Sequence, residues 1–202
     1  MLLPDAITGC IVAGGRARRL GGALKPLLVV AGEPILARQR AVLAPRVGEL
    51  VIAVAGPGPL AEQGVRAVFD AVADAGPLAG LAAGFGASAR PWLLAVAGDM
   101  PYLAAGVLDA LLAAAGPGAD AADAVDAVVP RVGGFPEPLC ALYGRGAAEV
   151  IDRHLAAGRR RTQAILDELR VRWLEEPVLR AVDPELRTFT NINAPGDAPA
   201  PG

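Results

Sequence analysis

The residues best suited to chemistry lie close to the start of the chain. Residues 11–25 read IVAGGRARRLGGALK, an apolar run passing into a loop rich in glycine and arginine. The loop ends at Lys25, the only lysine in the sequence; every other basic side chain is arginine. Gly14, Gly15, Gly21 and Gly22 let backbone amides approach an anion closely. Arg19 can grip phosphate oxygens as a planar fork, and Lys25 can meet them as a compact point charge. The loop is neither G-x-G-x-x-G nor a P-loop, because Lys25 follows Leu24 and precedes Pro26. A glycine-rich turn with solvated arginines is the competing interpretation.

Asp99 is the second focus. It closes the apolar run WLLAVAGD, residues 92–99. A carboxylate at a strand tip beside a polyphosphate is a hard oxygen ligand suited to Mg2+. It could instead cap the helix that follows. Asp70 ends VRAVFD in the same way, with Asp74 just beyond. Either could hold a ribose or a base, or be an ordinary turn residue. His154 reads as a helix-end surface residue and Arg159 to Arg161 as a solvated patch. Trp92 and Trp173 read as packing on the core or half-covering it.

These groups need a scaffold that gathers strand ends. Buried strands are expected at 7–13, 51–55, 65–70 and 92–99, since each is a short apolar run bounded by glycine or turn residues. A short extended piece and a turn follow the loop at 26–33, and helices are expected from Pro34 to about Leu43, at 76–88 and at 103–115. Residues 116–127 are low in complexity and read as a loop. Beyond it come a strand at 127–132, a turn and strand at 133–143, helices at 146–157 and 162–169 (Thr162 as N-cap), and a strand at 171–174. Residues 188–197 read as extended. The alternation predicts an α/β protein with three layers and a mostly parallel central sheet. Residues 1–195 are expected to form one domain, and 196–202 a disordered tail.

Composition narrows the function classes. The chain has 202 residues, a net charge of −2 and 53% apolar residues. A nucleic-acid scaffold would be more basic, so a small-molecule protein is expected. Cys10 and Cys140 lie in apolar runs and read as buried free thiols of a reducing, cytoplasmic compartment. One histidine and two cysteines make no plausible zinc set. No secretory leader and no spanning segment are expected, so no membrane association.

The loop VAGGRARRLGGALK closely resembles the signature of molybdenum cofactor guanylyltransferases, roughly LAGG-x-x-x-R-M-G-G-x-D-K. Four further segments agree in order and spacing: DAVADAGPLAG (70–80), AGDMPYL (97–103), EPLCALY (137–143) and TNIN-x-P (190–195). The resemblance implies a Rossmann-like nucleotidyltransferase fold. It implies GMP transfer from Mg-GTP to the terminal phosphate of molybdopterin, with release of pyrophosphate. It assigns Val12, Ala13, Gly14 and Gly15 to the nucleotide and Arg19 and Lys25 to its phosphates. Asp70 would contact the nucleotide, Asp99 would hold Mg2+, and Asn191 and Asn193 would lie on the pterin side. Transient contacts with molybdenum enzymes or cofactor-biosynthesis proteins are implied as well.

Leu24 departs from the family pattern, where aspartate precedes the lysine, and an asparagine common after the second strand is absent from AVAGPG (53–58). The alternatives are a molybdopterin cytidylyltransferase, a phospholactate or sugar-phosphate nucleotidyltransferase, or a nucleotide-binding relative with impaired catalysis. Cytidylyl relatives typically carry AAG where this chain has Ala13-Gly14-Gly15, which favours guanine.

Overall fold

A computed structural model describes residues 2–13, 24–61, 63–70, 76–116 and 125–192. The first apolar run forms β1 (Ile7–Val12), buried throughout. A 3-10 turn at Lys25–Leu27 leads into a small hairpin, β2 (Val29–Val30) and β3 (Glu33–Pro34), and then into α1 (Ile35–Leu43). Next come β4 (Glu49–Val54), β5 (Arg66–Phe69), α2 (Pro77–Ala87), β6 (Trp92–Ala97) and α3 (Ala105–Ala114). The second half holds β7 (Ala127–Val132), β8 (Phe135–Pro136), β9 (Cys140–Gly144), α4 (Ala147–Ala156), β10 (Val171–Leu174) and α5 (Glu176–Arg180).

Among the described residues the main sheet runs β10-β7-β9-β6-β1-β4-β5, with β8 hung on β7. β1 pairs in parallel with both β4 and β6, and β4 with β5. β9 runs against both β6 and β7, while β10 is parallel to β7. The sheet is therefore mostly parallel, as expected. The seven residues from Gly133 to Leu139 that join β7 to β9 are too few for a parallel crossover, so β9 reverses.

Alternation along β1 divides the core. Ile7 and Ile11 join a cluster with Leu36 and Leu43 of α1, Leu108 and Leu111 of α3, and Leu179 of α5. Cys10 and Val12 join a second cluster with Leu78, Leu81 and Phe85 of α2 and Val150 and Ile151 of α4. This is the three-layer arrangement, helices on both faces of a sheet whose strands are apolar on both sides. The glycines of α2 weaken it as an isolated helix but let it lie close to the sheet. A Cβ on Gly80 would fall 2.8 Å from Val12 Cγ1, and one on Gly84 would fall 2.8 Å from Cys10 Sγ. Both cysteines are buried free thiols, as expected, and both tryptophans are half-buried. No described helix is long and apolar enough to cross a membrane.

Four local expectations are corrected. Residues Thr162–Glu168 form a 3-10 stretch, and Thr162 provides no side-chain cap. Within it only one adjacent pair, Ile165 and Leu166, is buried, too narrow a contact to sustain an α-helix. That stretch folds over α4 and buries His154, which is 3% exposed with Nε2 2.7 Å from Glu168 Oε1. Asp99 does not cap α3; the amide of Ala104, just ahead of the helix, donates to Thr188 Oγ1 at 3.0 Å. Residues Arg187–Phe189 are a 3-10 turn where extended chain was expected. Asp183 holds that turn by accepting from the amides of Arg187 and Thr188.

Candidate functional site

The strand order reverses beside β1. From β1 the chain builds outward through β4 and β5, then returns to place β6 on the other side of β1. Loops leaving the carboxyl ends of β1 and β6 diverge at such a point and leave a crevice between them. The glycine-rich loop leaves β1 here, and Asp99 leaves β6. Gly98, which precedes Asp99, is the tight junction. Its amide donates to Val12 O at 3.0 Å, and a Cβ there would lie 3.0 Å from Pro26 Cγ and 3.4 Å from Ala13 Cβ. Only glycine lets the three segments meet this closely.

At this junction Lys25 and Asp99, 74 residues apart in sequence, form an ion pair, Nζ to Oδ2 2.9 Å. Lys25 opens the 3-10 turn whose Pro26 is buried, so the backbone beneath the ammonium is fixed by packing. Both side chains stay partly exposed, at 27% and 22%, so a ligand can reach them. The carboxyl-terminal segment returns to the same place. Ile192 is buried and donates its amide to Asp99 O at 3.0 Å, which sets exposed Asn191 beside the turn.

Asp70 follows β5, two strands from β1 on the side away from β6, with its amide on Val54 O. Burial pushes its carboxyl up to about 6, and Oδ1 is buried with no hydrogen-bond partner. An acceptor in that state favours a ligand offering hydroxyl or N–H donors. Its charge also faces Cys10, whose thiol burial chiefly, and Asp70 secondarily, push up to about 12. Val12 packs its side chain beneath Gly80 of α2, so toward the crevice it can present backbone only. Ala13 is tied by its amide to Ala53 O at 2.8 Å.

The structure thus brings together Val12, Ala13, Lys25, Asp99 and Asn191 on one rim, with Asp70 two strands away. Arg19, Gly14, Gly15, Gly21, Gly22, Asp74, Asn193 and the tail 196–202 lie outside the described residues. Gln39 was missed. It is fully buried in α1 and donates from Nε2 to Ala97 O (2.7 Å) and Met100 O (3.0 Å), on either side of Asp99. Its signal was present: Ile35, Gln39 and Leu43 recur at a spacing of four, which puts a polar side chain on the buried face.

Among the described residues no group of three or more His, Cys, Asp or Glu could hold a metal alone. A single strand-end carboxylate does suit Mg2+, which commonly binds through one or two carboxylates plus substrate phosphates.

Residues 9–174 match the family model described as the MobA-like NTP transferase domain. The chain belongs to this family. It is 37% identical over 191 residues to a molybdenum cofactor guanylyltransferase of Desulfosudis oleivorans, covering 94% of this chain and 91% of that protein. Among solved structures it is similar to molybdopterin-guanine dinucleotide biosynthesis protein A from Archaeoglobus fulgidus. That similarity has a TM-score of 0.77 and 26% identity, covering 95% and 94% of the two chains. A 2-C-methyl-D-erythritol 4-phosphate cytidylyltransferase from Thermus thermophilus shares the fold alone, at TM-score 0.64 and 18% identity.

As a MobA-like protein the chain is a nucleotidyltransferase of α/β fold, and its departure at residue 24 has a physical reading. Leu24 packs against the larger core cluster, and its carbonyl accepts from Leu27 N at 2.8 Å. The position anchors the turn under Lys25, whose ammonium pairs with Asp99.

Proposed function

We propose that this protein transfers GMP from Mg-GTP to the terminal phosphate of molybdopterin, forming the guanine dinucleotide and releasing pyrophosphate. The observation that carries this is the Lys25–Asp99 pair at the switch point of a MobA-like fold. The name of the Desulfosudis relative and the Ala13-Gly14-Gly15 loop support guanine and the pterin acceptor.

The chemistry follows from charge. The nucleophile is an ionised phosphate oxygen of the acceptor, so no side chain need remove a proton. Two anions must meet, and charge grows on the oxygens around the α-phosphorus and on the leaving pyrophosphate. Lys25 and Arg19 offset that charge, with Lys25 turning from Asp99 toward phosphate oxygen as the nucleotide enters. Asp99 is then the carboxylate that would hold Mg2+, which when bound supplies Lewis-acid neutralisation of the phosphates. Gly14 and Gly15 give the backbone room to follow the nucleotide, and Val12 and Ala13 line its path with main chain. Asp70 receives ribose or base donors, while Asn191 and Asn193 are assigned to the pterin by the family resemblance. Fixing donor and acceptor on one rim supplies the rest of the acceleration.

Pyrophosphate release is measured with molybdopterin, Mg2+ and GTP, CTP or ATP in turn. Release with GTP above the others is expected. A preference for CTP would sink the guanine assignment, and no release with any nucleotide would sink the reaction.

A further inference from the structure

The exit of β6 must hold Asp99 at a fixed distance from Lys25, yet residues 98–101 are a turn outside the sheet ladder. What spans that turn is a side chain from another element. Gln39 of α1 is 0% exposed, and both protons of its amide are committed: one to Ala97 O at 2.7 Å and one to Met100 O at 3.0 Å. Only the NH2 end can donate to both carbonyls, so the amide has one orientation. Arg38, its neighbour, adds Nε to Pro101 O at 3.0 Å.

The other end of the amide is informative. Gln39 Oε1 is buried without a hydrogen-bond partner. Burying an unpaired carbonyl is unfavourable, and an apolar side chain of the same size would avoid it. A polar residue kept on the core face of α1 despite that penalty points to what its donor end holds.

We infer that Gln39 is a positioning residue for Asp99. It clamps the carbonyls before and after the turn and sets the carboxylate where it meets Lys25 and, with nucleotide bound, the metal. Gln39 touches no substrate; it acts through the backbone on either side of Asp99. This inference rests on the proposed role of Asp99 in nucleotidyl transfer.

The test compares the full-length wild type with Gln39→Met, Gln39→Glu and Leu43→Ala, measuring Mg2+-dependent pyrophosphate release from GTP with molybdopterin. Gln39→Met fills the space without a donor. Gln39→Glu keeps the shape but can offer the two carbonyls one proton at most, which guards against a packing failure in the first variant. Leu43 is buried on the same helix and serves as the control for lost stability. Both Gln39 variants should lose about tenfold or more in kcat, the scale of a misplaced group of under an ångström. The affinity for Mg2+ measured by calorimetry in the presence of GTP, without the acceptor, should fall several-fold in both, with KM for GTP little changed. Leu43→Ala should keep the wild-type kcat and Mg2+ affinity below its melting temperature. Gln39 variants with wild-type kcat and Mg2+ affinity would overturn the clamp. So would an equal loss in Leu43→Ala. A wild type without turnover would overturn the reading of the site itself, which separates the two failures.

Discussion

Lys25 and Asp99 hold each other in place before any phosphate arrives, and that pairing sets how their loss should read out. Replacing either by alanine should lower turnover by about one to three orders of magnitude, the usual range for groups that meet developing charge. Stability should change by only about 1 kcal/mol or less, because a partly exposed ion pair contributes little to folding. Pyrophosphate release and a melting curve on the same preparations check both halves; near-normal rates in both variants would remove the site. Asp70 should behave in the opposite sense. Its folded-state pKa of about 6 lies above the usual 3.8. The ionised carboxylate therefore costs stability, a cost absent below pH 4 and complete above pH 6. Asp70→Asn should stabilise the protein by about 1–2 kcal/mol at pH 7, allowing for partial exposure, and the gain should vanish toward pH 4. Denaturant titrations at pH 4 and 7 measure it, and calorimetry with GTP should show weaker binding in the same variant. Lys25 was legible in the sequence because it is unique, and Asp99 and Asp70 because each ends an apolar run. Their pairing, and the orphaned oxygen on Asp70, depend on strand order and could not be read from spacing.

The elements differ in how openly the sequence declares them. Buried strands such as ITGCIV and WLLAVA are predominantly apolar runs, and they form within a residue or two of expectation. The 3-10 stretch over α4 differs from expectation because TQAILDEL has good helix formers, with Ile165, Leu166 and Leu169 at helical spacing, yet within the stretch itself only Ile165 and Leu166 are buried. The glycines of α2 look like defects and prove to be clearances. Gly84→Val should destabilise by about 1–3 kcal/mol, since the added atoms meet Cys10 and the sheet beneath it. Gly86 lies on the same helix, exposed, with nothing within 4 Å of an added Cβ. Gly86→Ala should stabilise by about 0.5–1 kcal/mol through helix propensity alone. Two denaturation curves decide the matter, and equal effects would mean that α2 does not sit against β1 as described.

At the scale of the whole molecule, alternating strands and helices made the layered fold legible, but the order of strands was not. Local patterns say that a strand exists and not which neighbour it finds. The reversal of β9 follows from a short connection, and it brings Glu137 to Leu139 to the rim where β6 ends, with Ala97 N on Leu139 O at 2.7 Å. One rim therefore gathers four segments distant in the chain, from β1, β6, the approach to β9 and the returning carboxyl terminus. The arginine-only chemistry of the rest of the chain gives this rim a further property. An amine-selective acylating reagent meets a single side-chain amine in all 202 residues, and it sits on Asp99. Acylation should therefore silence turnover in step with modification of the peptide that carries Lys25, and Mg-GTP should slow both. Mass spectrometry of that peptide would turn the protein's scarcest residue into a footprint of nucleotide occupancy, with no substitution needed.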